Sequence, residues 1–157
     1  MKVNEYQQKD ILKDRIDFYY RMKTKEVNEI LDFLRKHSLS LIGKVNDKEI
    51  IFSLNDVYYF ESIEKKMFAY LDNKVVRIDL RLQDLENAYF ELGFVRINKS
   101  TILNVYKINS LKSEINMRLM ALLDNGERVQ INRSYKAKFN LFLNTMNKGG
   151  FQNESDK

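Results

Sequence analysis

Three polar pairs do most to limit what this chain can fold into. Asn46-Asp47, Asp72-Asn73 and Asn125-Gly126 each separate two short runs rich in β-branched and aromatic residues. Asn, Asp and Gly suit the positive φ of tight hairpin turns. The runs on either side are too short for helices, so they read as strands folded back on one another. They extend from Leu39 to Val45, Glu49 to Phe52, Val57 to Ser62, Met67 to Leu71 and Lys74 to Ile78. Later ones run from Phe94 to Ile97, Ile102 to Val105, Ile108 to Ser113, Met117 to Leu123 and Glu127 to Ile131. Met117 to Leu123 is apolar on both faces apart from Arg118, which predicts a central strand. Ser53-Leu54-Asn55-Asp56 has the look of a single capped turn.

Two helices interrupt this series. Asp79 can cap the first, whose apolar positions are Leu82, Leu85, Ala88 and Tyr89. It carries Asp84, Glu86 and Glu91 outward, and Gly93 ends it. Asn132 or Ser134 caps the second, which buries Tyr135, Phe139, Phe142 and Met146. The fold class is therefore mainly β (α+β), with about ten short strands in small antiparallel sheets.

Ahead of this body the pattern differs. Residues 2–7 read as a short strand, with Ile11 and Leu12 in a polar connector. Arg15 to Met22 alternates, with Ile16, Phe18, Tyr20 and Met22 on one face, and so predicts a half-buried strand. Thr24 is placed to cap a helix carrying Val27, Ile30, Leu31 and Leu34 at helical spacing. Arg35, Lys36 and His37 complement its C-terminal dipole. Residues 1–37 thus form a strand–strand–helix extension. Its helix packs either on its own sheet, which is favoured, or on another copy. Residues 38–146 form the main domain and 147–157 a loose tail.

Composition removes most chemistry. The chain has no Cys and one His, His37, so thiol catalysis, disulfides and imidazole clusters are excluded. Its five glycines, at 43, 93, 126, 149 and 150, form no phosphate loop. Glu61 and Glu64 and the helix acids fit a solvated surface. No enzyme, metal or cofactor is implied. No apolar run approaches the length of a membrane span, and the N-terminus lacks a signal peptide, so the expected location is the cytosol.

Charge gives a direction. The net charge is +5, and it is unevenly spread. Phe94 to Asn140 holds nine Lys and Arg against three acids, while the remainder holds 18 against 19. Segregated positive charge fits either an anionic partner, most often nucleic acid, or a solvated basic face. Three loops are basic and polar. Lys65 and Lys66 lie between two strands. Asn98, Lys99 and Ser100 interrupt two apolar runs. Asn132, Arg133 and Ser134, followed by Lys136 and Lys138, lie at a strand-to-helix junction. Backbone amides there suit a phosphate, and Arg133 suits a guanine edge. The acidic helix should lie at the back.

The order of these features resembles the LytTR DNA-binding domain of bacterial response regulators and one-component regulators. The resembling stretch runs from about Leu41 to Leu143. It includes Val57-Tyr58-Tyr59-Phe60-Glu61-Ser62, Leu82-x-x-Leu85-Glu86 and Phe94-Val95-Arg96-Ile97-Asn98-Lys99-Ser100, followed by Leu103-Asn104. Asn125-Gly126 and Asn132-Arg133-Ser134-Tyr135 complete it. The resemblance implies a DNA-binding architecture with no recognition helix, whose loops enter successive major grooves. By position, Lys65 or Lys66 serves the first contact, Lys99 with Asn98 and Ser100 the second, and Arg133 with Asn132 and Lys136 the third. The family often has His at Asn98 and Ser at Asn132, which leaves the preferred base sequence open. Residues 1–37 are too few for the receiver domain of most relatives, so a stand-alone regulator is expected. By the same analogy it binds duplex DNA, self-associates on repeated sites, and is held in check by a membrane-protein partner. The alternative is a protein–protein interaction module whose basic face meets an acidic partner. RNA binding is a more distant reading, because the aromatics fit core positions better than base stacking.

Overall fold

The computed structural model describes residues 2–7 and 16–149, with the side chains of 35–38 and 147–149 excepted. The expectations for Ile11, Leu12 and Arg15, for the side chains of Arg35, Lys36 and His37, and for the tail from 150 onward lie outside the described residues. The chain opens with helix α1 (Lys25–Ser38). Strands β1 (Ser40–Val45), β2 (Lys48–Ser53), β3 (Tyr59–Ile63), β4 (Lys66–Tyr70) and β5 (Val75–Ile78) follow. Helix α2 (Leu82–Tyr89) leads to β6 (Phe94–Arg96), β7 (Thr101–Asn104), β8 (Ile108–Ser113), β9 (Leu119–Leu123) and β10 (Arg128–Ile131). Helix α3 (Arg133–Gly149) closes the order.

Every strand pairing is antiparallel, in two sheets. Seven strands lie in the order β2-β1-β5-β4-β3-β7-β6, and three in the order β10-β9-β8. The hairpin turns are local in origin. Asn46 and Asp47 take φ of 48° and 64° and place Val45 opposite Lys48. Glu64 and Lys65 take 49° and 65° and place Ile63 opposite Lys66. Gly126 takes 86°, and the Asn125 side chain accepts a hydrogen bond from the Glu127 N–H at 3.0 Å. The turn at Ser53 forms as its sequence predicts, the Ser53 hydroxyl accepting from the Asn55 N–H at 3.3 Å.

The larger sheet is buried on both faces near β3, β7 and β6, and this divides the core in two. Phe52, Leu54, Phe60, Met67, Val76, Ile78, Leu85, Phe94 and Ile102 pack on the α2 side. Val95, Ile97, Leu103, Leu119, Leu123, Ile131, Phe139 and Phe142 pack between the other face, the small sheet and α3. Alternation along β6 and β7 makes this possible: Phe94 and Ile102 point one way, Val95 and Leu103 the other. Strand β9 is central in its sheet, as expected. Gly93 ends the helical stretch at φ 96°, where a Cβ would come within 2.5 Å of the Tyr106 ring. Gly43 lets β1 approach β5, since a Cβ there would meet the Arg77 carbonyl at 2.7 Å.

Helix α1 packs against the 3₁₀ turn Leu54–Asp56 and buries Val27. The Thr24 hydroxyl accepts from the Val27 N–H at 3.3 Å, so the predicted cap forms.

Three expectations need correction. Residues 2–7 and 16–22 form no strand, and Ile16, Tyr19, Tyr20 and Met22 are exposed. The alternation is present, but no described strand pairs with it, and alternation alone does not make a strand. Among its described residues the extension therefore holds one helix and no strand. Asp79 does not cap α2: the helix starts after Arg81, without a side-chain cap. Helix α3 continues to Gly149, past the expected start of the tail at Asn147.

Candidate nucleic-acid interface

The three basic loops are joined by backbone hydrogen bonds. The Ser62 N–H donates to the Ser100 carbonyl at 2.8 Å, fixing the β6–β7 loop beside the β3–β4 hairpin that carries Lys65 and Lys66. The Asn132 N–H donates to the Ile97 carbonyl at 2.9 Å, fixing the β10–α3 junction on the other side of the same loop. The β6–β7 loop is the middle member, and its neighbours are 30 or more positions away in the chain. Lys65, Lys66, Lys99, Asn132, Arg133 and Ser134 are exposed, while Asn98, Ser100 and Lys136 are half-buried.

The middle loop is braced from within. The Asn98 side-chain oxygen accepts from the Ser100 N–H at 2.8 Å and from the Ser100 hydroxyl at 3.2 Å. That oxygen is engaged, so the amide nitrogen is the part of Asn98 left to address a ligand. Arg96 holds the loop's carbonyls. Its Nε donates to the Asn98 carbonyl at 3.1 Å and its Nη2 to the Lys99 carbonyl at 2.6 Å. Its guanidinium lies 5.8 Å from the centre of the Tyr135 ring on α3, within cation–π range.

Glu86 of α2 ties this brace to α3. It accepts from Arg96 Nη1 at 3.3 Å and from Lys138 Nζ at 2.7 Å, with its side chain 14% exposed. Burial alone pushes the Glu86 carboxyl up. The hydrogen bonds and charges of Lys138 and Arg96 more than reverse this, holding it below the usual carboxylate range. The acidic helix is thus not simply at the back, since one of its carboxylates organises the loops. Arg96 and Lys138, counted in the basic segment, are paired internally. Lys107, counted there too, lies 4.9 Å from the centre of the Tyr58 ring.

One residue joins the cluster that the pattern of the sequence did not single out. Arg118, at the entry to β9, lines an open cleft of about 480 Å³ with Asn132, Arg133 and Ser134. Its signal was present, as the one cation in an otherwise apolar run. The cleft lies at the start of α3, whose first turn holds no acid, so the positive end of its dipole is uncompensated. Two guanidinium groups, a hydroxyl and free helix N–H groups suit phosphate oxygens. Arg96 was likewise legible only as a strand residue.

Across the molecule, Tyr59 locks the small sheet to the large one, its hydroxyl donating to Glu127 Oε2 at 3.1 Å. Burial, followed by that bond, raises its ionisation well above the usual phenol value. No group of acids and His that could hold a metal occurs among the described residues. No helix among them is long and apolar enough to cross a membrane.

Comparison with known proteins bears directly on this surface. The LytTr DNA-binding domain family matches residues 47–144. An uncharacterised HTH-type transcriptional regulator of Staphylococcus aureus strain NCTC 8325 is 34% identical over 110 residues, covering 69% of this chain and 72% of that protein. Its counterpart in strain MRSA252 is 33% identical over the same length and shares. Among solved structures, the LytTr DNA-binding domain of a response regulator from Bacillus cereus superposes with a TM-score of 0.62 at 27% identity. It covers 66% of this chain and 95% of that one. In this chain, strands separate each described α-helix from the next, so no two of them form a helix-turn-helix pair.

Proposed function

Because the chain belongs to the LytTR DNA-binding domain family, we propose that it regulates transcription by presenting three loops to successive major grooves of duplex DNA. It is a DNA-binding protein and not an enzyme. What supports the finer reading is the pair of hydrogen bonds from Ser62 to Ser100 and from Asn132 to Ile97, which makes one frame of three loops distant in sequence. In this reading Lys65 and Lys66 meet phosphate on one side of the frame. Lys99 reaches the groove from the middle, where its ammonium suits guanine O6 and N7 or a phosphate. Asn98 and Ser100 shape the loop around it, and Asn98 adds an amide donor. On the far side Arg133 reads a guanine edge, with Asn132 and Lys136 supporting it.

The DNA-binding unit spans residues 38–146 in this proposal, with 1–37 as an accessory extension. Two copies occupy a repeated site. The protein works in the cytoplasm, and a membrane-protein partner that restrains it is the family analogue to look for. Selection of bound sites from random duplexes tests the core of the reading. Replacing Arg133 or Lys99 by Ala should each cost about 1–3 kcal/mol on the selected site and relax one position. Unchanged binding by the double variant would show that these loops are not the contact surface. A folded sample that selects no duplex at low salt would favour a basic face for an acidic protein partner.

A further inference from the structure

The β8–β9 hairpin ends in an apolar tip beside the loop face. Ile115 is 88% exposed and Met117 61%, and Ile115 is the most exposed large apolar side chain among the described residues from Ser40 onward. The Glu114 N–H closes the hairpin by donating to the Arg118 carbonyl at 2.9 Å. Between them Asn116 and Met117 both take left-handed backbone, at φ 72° and 62°. Asn tolerates that region, whereas a bulky apolar residue is strained there. The other described residues with positive φ are Asn, Asp, Glu, Lys and Gly. At Met117 the chain thus holds an apolar side chain out in water, on a backbone that Asn or Gly would adopt more easily. Strain kept in this way collects at ligand contacts.

The place of the tip in the fold indicates what it meets. Ile131 pairs with Leu119, and Leu119 with Ser113, so β10, β9 and β8 have these ends side by side. Asn132 follows Ile131 and is bonded to Ile97 of the middle loop. The tip therefore continues the loop face past the third loop, on the side away from the middle one, about 5–10 Å from β10. Arg118, at its foot, shares the cleft of Asn132, Arg133 and Ser134 at the start of α3, which suits a phosphate. Lys112 and Arg118 flank the tip and outnumber its one acid, Glu114. With Arg133 in a major groove and the cleft on the phosphates that border it, the tip stands over the next groove, a minor one. Ile and Met are among the side chains that wedge between base steps there.

We propose that Ile115 and Met117 enter the minor groove flanking the third contact loop and partly unstack one base step there. This rests on the reading of the three loops as the DNA face and adds to it a fourth contact that carries no charge. Arg118 holds the phosphates between the two grooves, and the tip, one residue away, is fixed relative to it. Two apolar side chains leave water on insertion, which offsets the cost of unstacking. The balance is best where a step unstacks most readily, so TA steps are favoured in a flank whose bases no polar group reads.

Duplexes recovered by selection are rebuilt with TA steps beyond the position that Arg133 reads, and with single 2-aminopurine bases at those steps. The full-length chain should raise the emission of one of them, as unstacking does. Ile115→Ser with Met117→Ser should abolish the rise and bind about tenfold more weakly, with the slope of log affinity against log salt unchanged. Met117→Asn relieves the backbone, so it should unfold at a higher denaturant midpoint than the native chain and yet bind more weakly. Met117→Leu should keep both the rise and the affinity. Inosine–cytosine pairs in the flank lack the minor-groove amino group of guanine, and should be bound like A·T pairs and better than G·C. The proposal is overturned by a silent 2-aminopurine with the native chain bound, or by full affinity in the double Ser variant. Loss of binding when flanking thymines become uracils would put the tip in the major groove and overturn it as well. So would a double Ser variant that binds DNA normally but self-associates more weakly in sedimentation, which would assign the tip to a second copy. Arg133→Ala and Lys99→Ala are read on the same duplexes, so failure of the loops as contacts is distinguished from failure of the tip.

Discussion

Glu86 carries an unusual share of the organisation for a single side chain. It holds Arg96, which holds two carbonyls of the middle loop, and Lys138, on the helix that opens at Arg133. Replacing it by Gln leaves two partly buried cations without a counter-charge. Stability should fall by about 1–3 kcal/mol at neutral pH, read from denaturant midpoints. The pH dependence has a definite sign. The carboxyl's value in the folded chain lies below its ordinary 4.5, so the folded state favours the ionised form. Its stabilisation is complete above that ordinary value and is lost as pH falls through the depressed one. The difference between native chain and Glu86→Gln should therefore be constant at higher pH and shrink in acid. Because the variant removes no phosphate contact, its DNA affinity should fall with little change in salt dependence. A reduced salt slope would show that Glu86 acts in some other way than by holding the loops.

Among the elements, the β6–β7 hairpin and its approach are the most constrained. Gly93 ends the α2 segment in a left-handed conformation against the Tyr106 ring, and its N–H and carbonyl bond Phe90 and Val105. Gly93→Ala meets both the unfavourable φ and the ring, and should destabilise the fold by about 1–3 kcal/mol, measured by thermal or denaturant unfolding. On α3, Phe139 is fully buried between the two sheets. Phe139→Ala should cost about 3–5 kcal/mol and loosen the junction that carries Arg133. Among the described side chains of helix α1 only Val27 is deeply buried, and its loss should be cheaper than that of either of the others. Its capping by Thr24 follows from neighbours three residues apart, which is why the sequence predicted it. The strands before it were predicted on the same kind of local pattern and did not form, because alternation specifies a face but supplies no partner.

For the molecule as a whole, charge and topology act together. The net charge of +5 counts the residues without regard to pairing. Once Arg96 and Lys138 meet Glu86, the cations left on the loop face are Lys65, Lys66, Lys99, Arg118, Arg133 and Lys136. DNA affinity should fall steeply with salt, and removing Lys65 or Arg118 should each lower the slope of log affinity against log salt by about one. An unchanged slope for Arg118→Ala would remove it from the surface.

What the sequence by itself determined was whatever neighbouring residues settle among themselves. Positive φ at Asn46-Asp47 and Gly126, the Ser53 and Thr24 caps, the alternation of β6 and β7 and the ends of most strands all follow from side chains within a few positions. The family resemblance was legible for the same reason, as a string of such local motifs in order. Only the tertiary structure decided what depends on residues far apart in the chain. It split the core across one sheet, brought three loops into one frame, and set Glu86 against Lys138, 52 positions away. It also left Ile16 to Met22 outside both sheets. Contacts of that kind depend on which surfaces close on one another once all the strands are paired, and no short window of sequence contains that information.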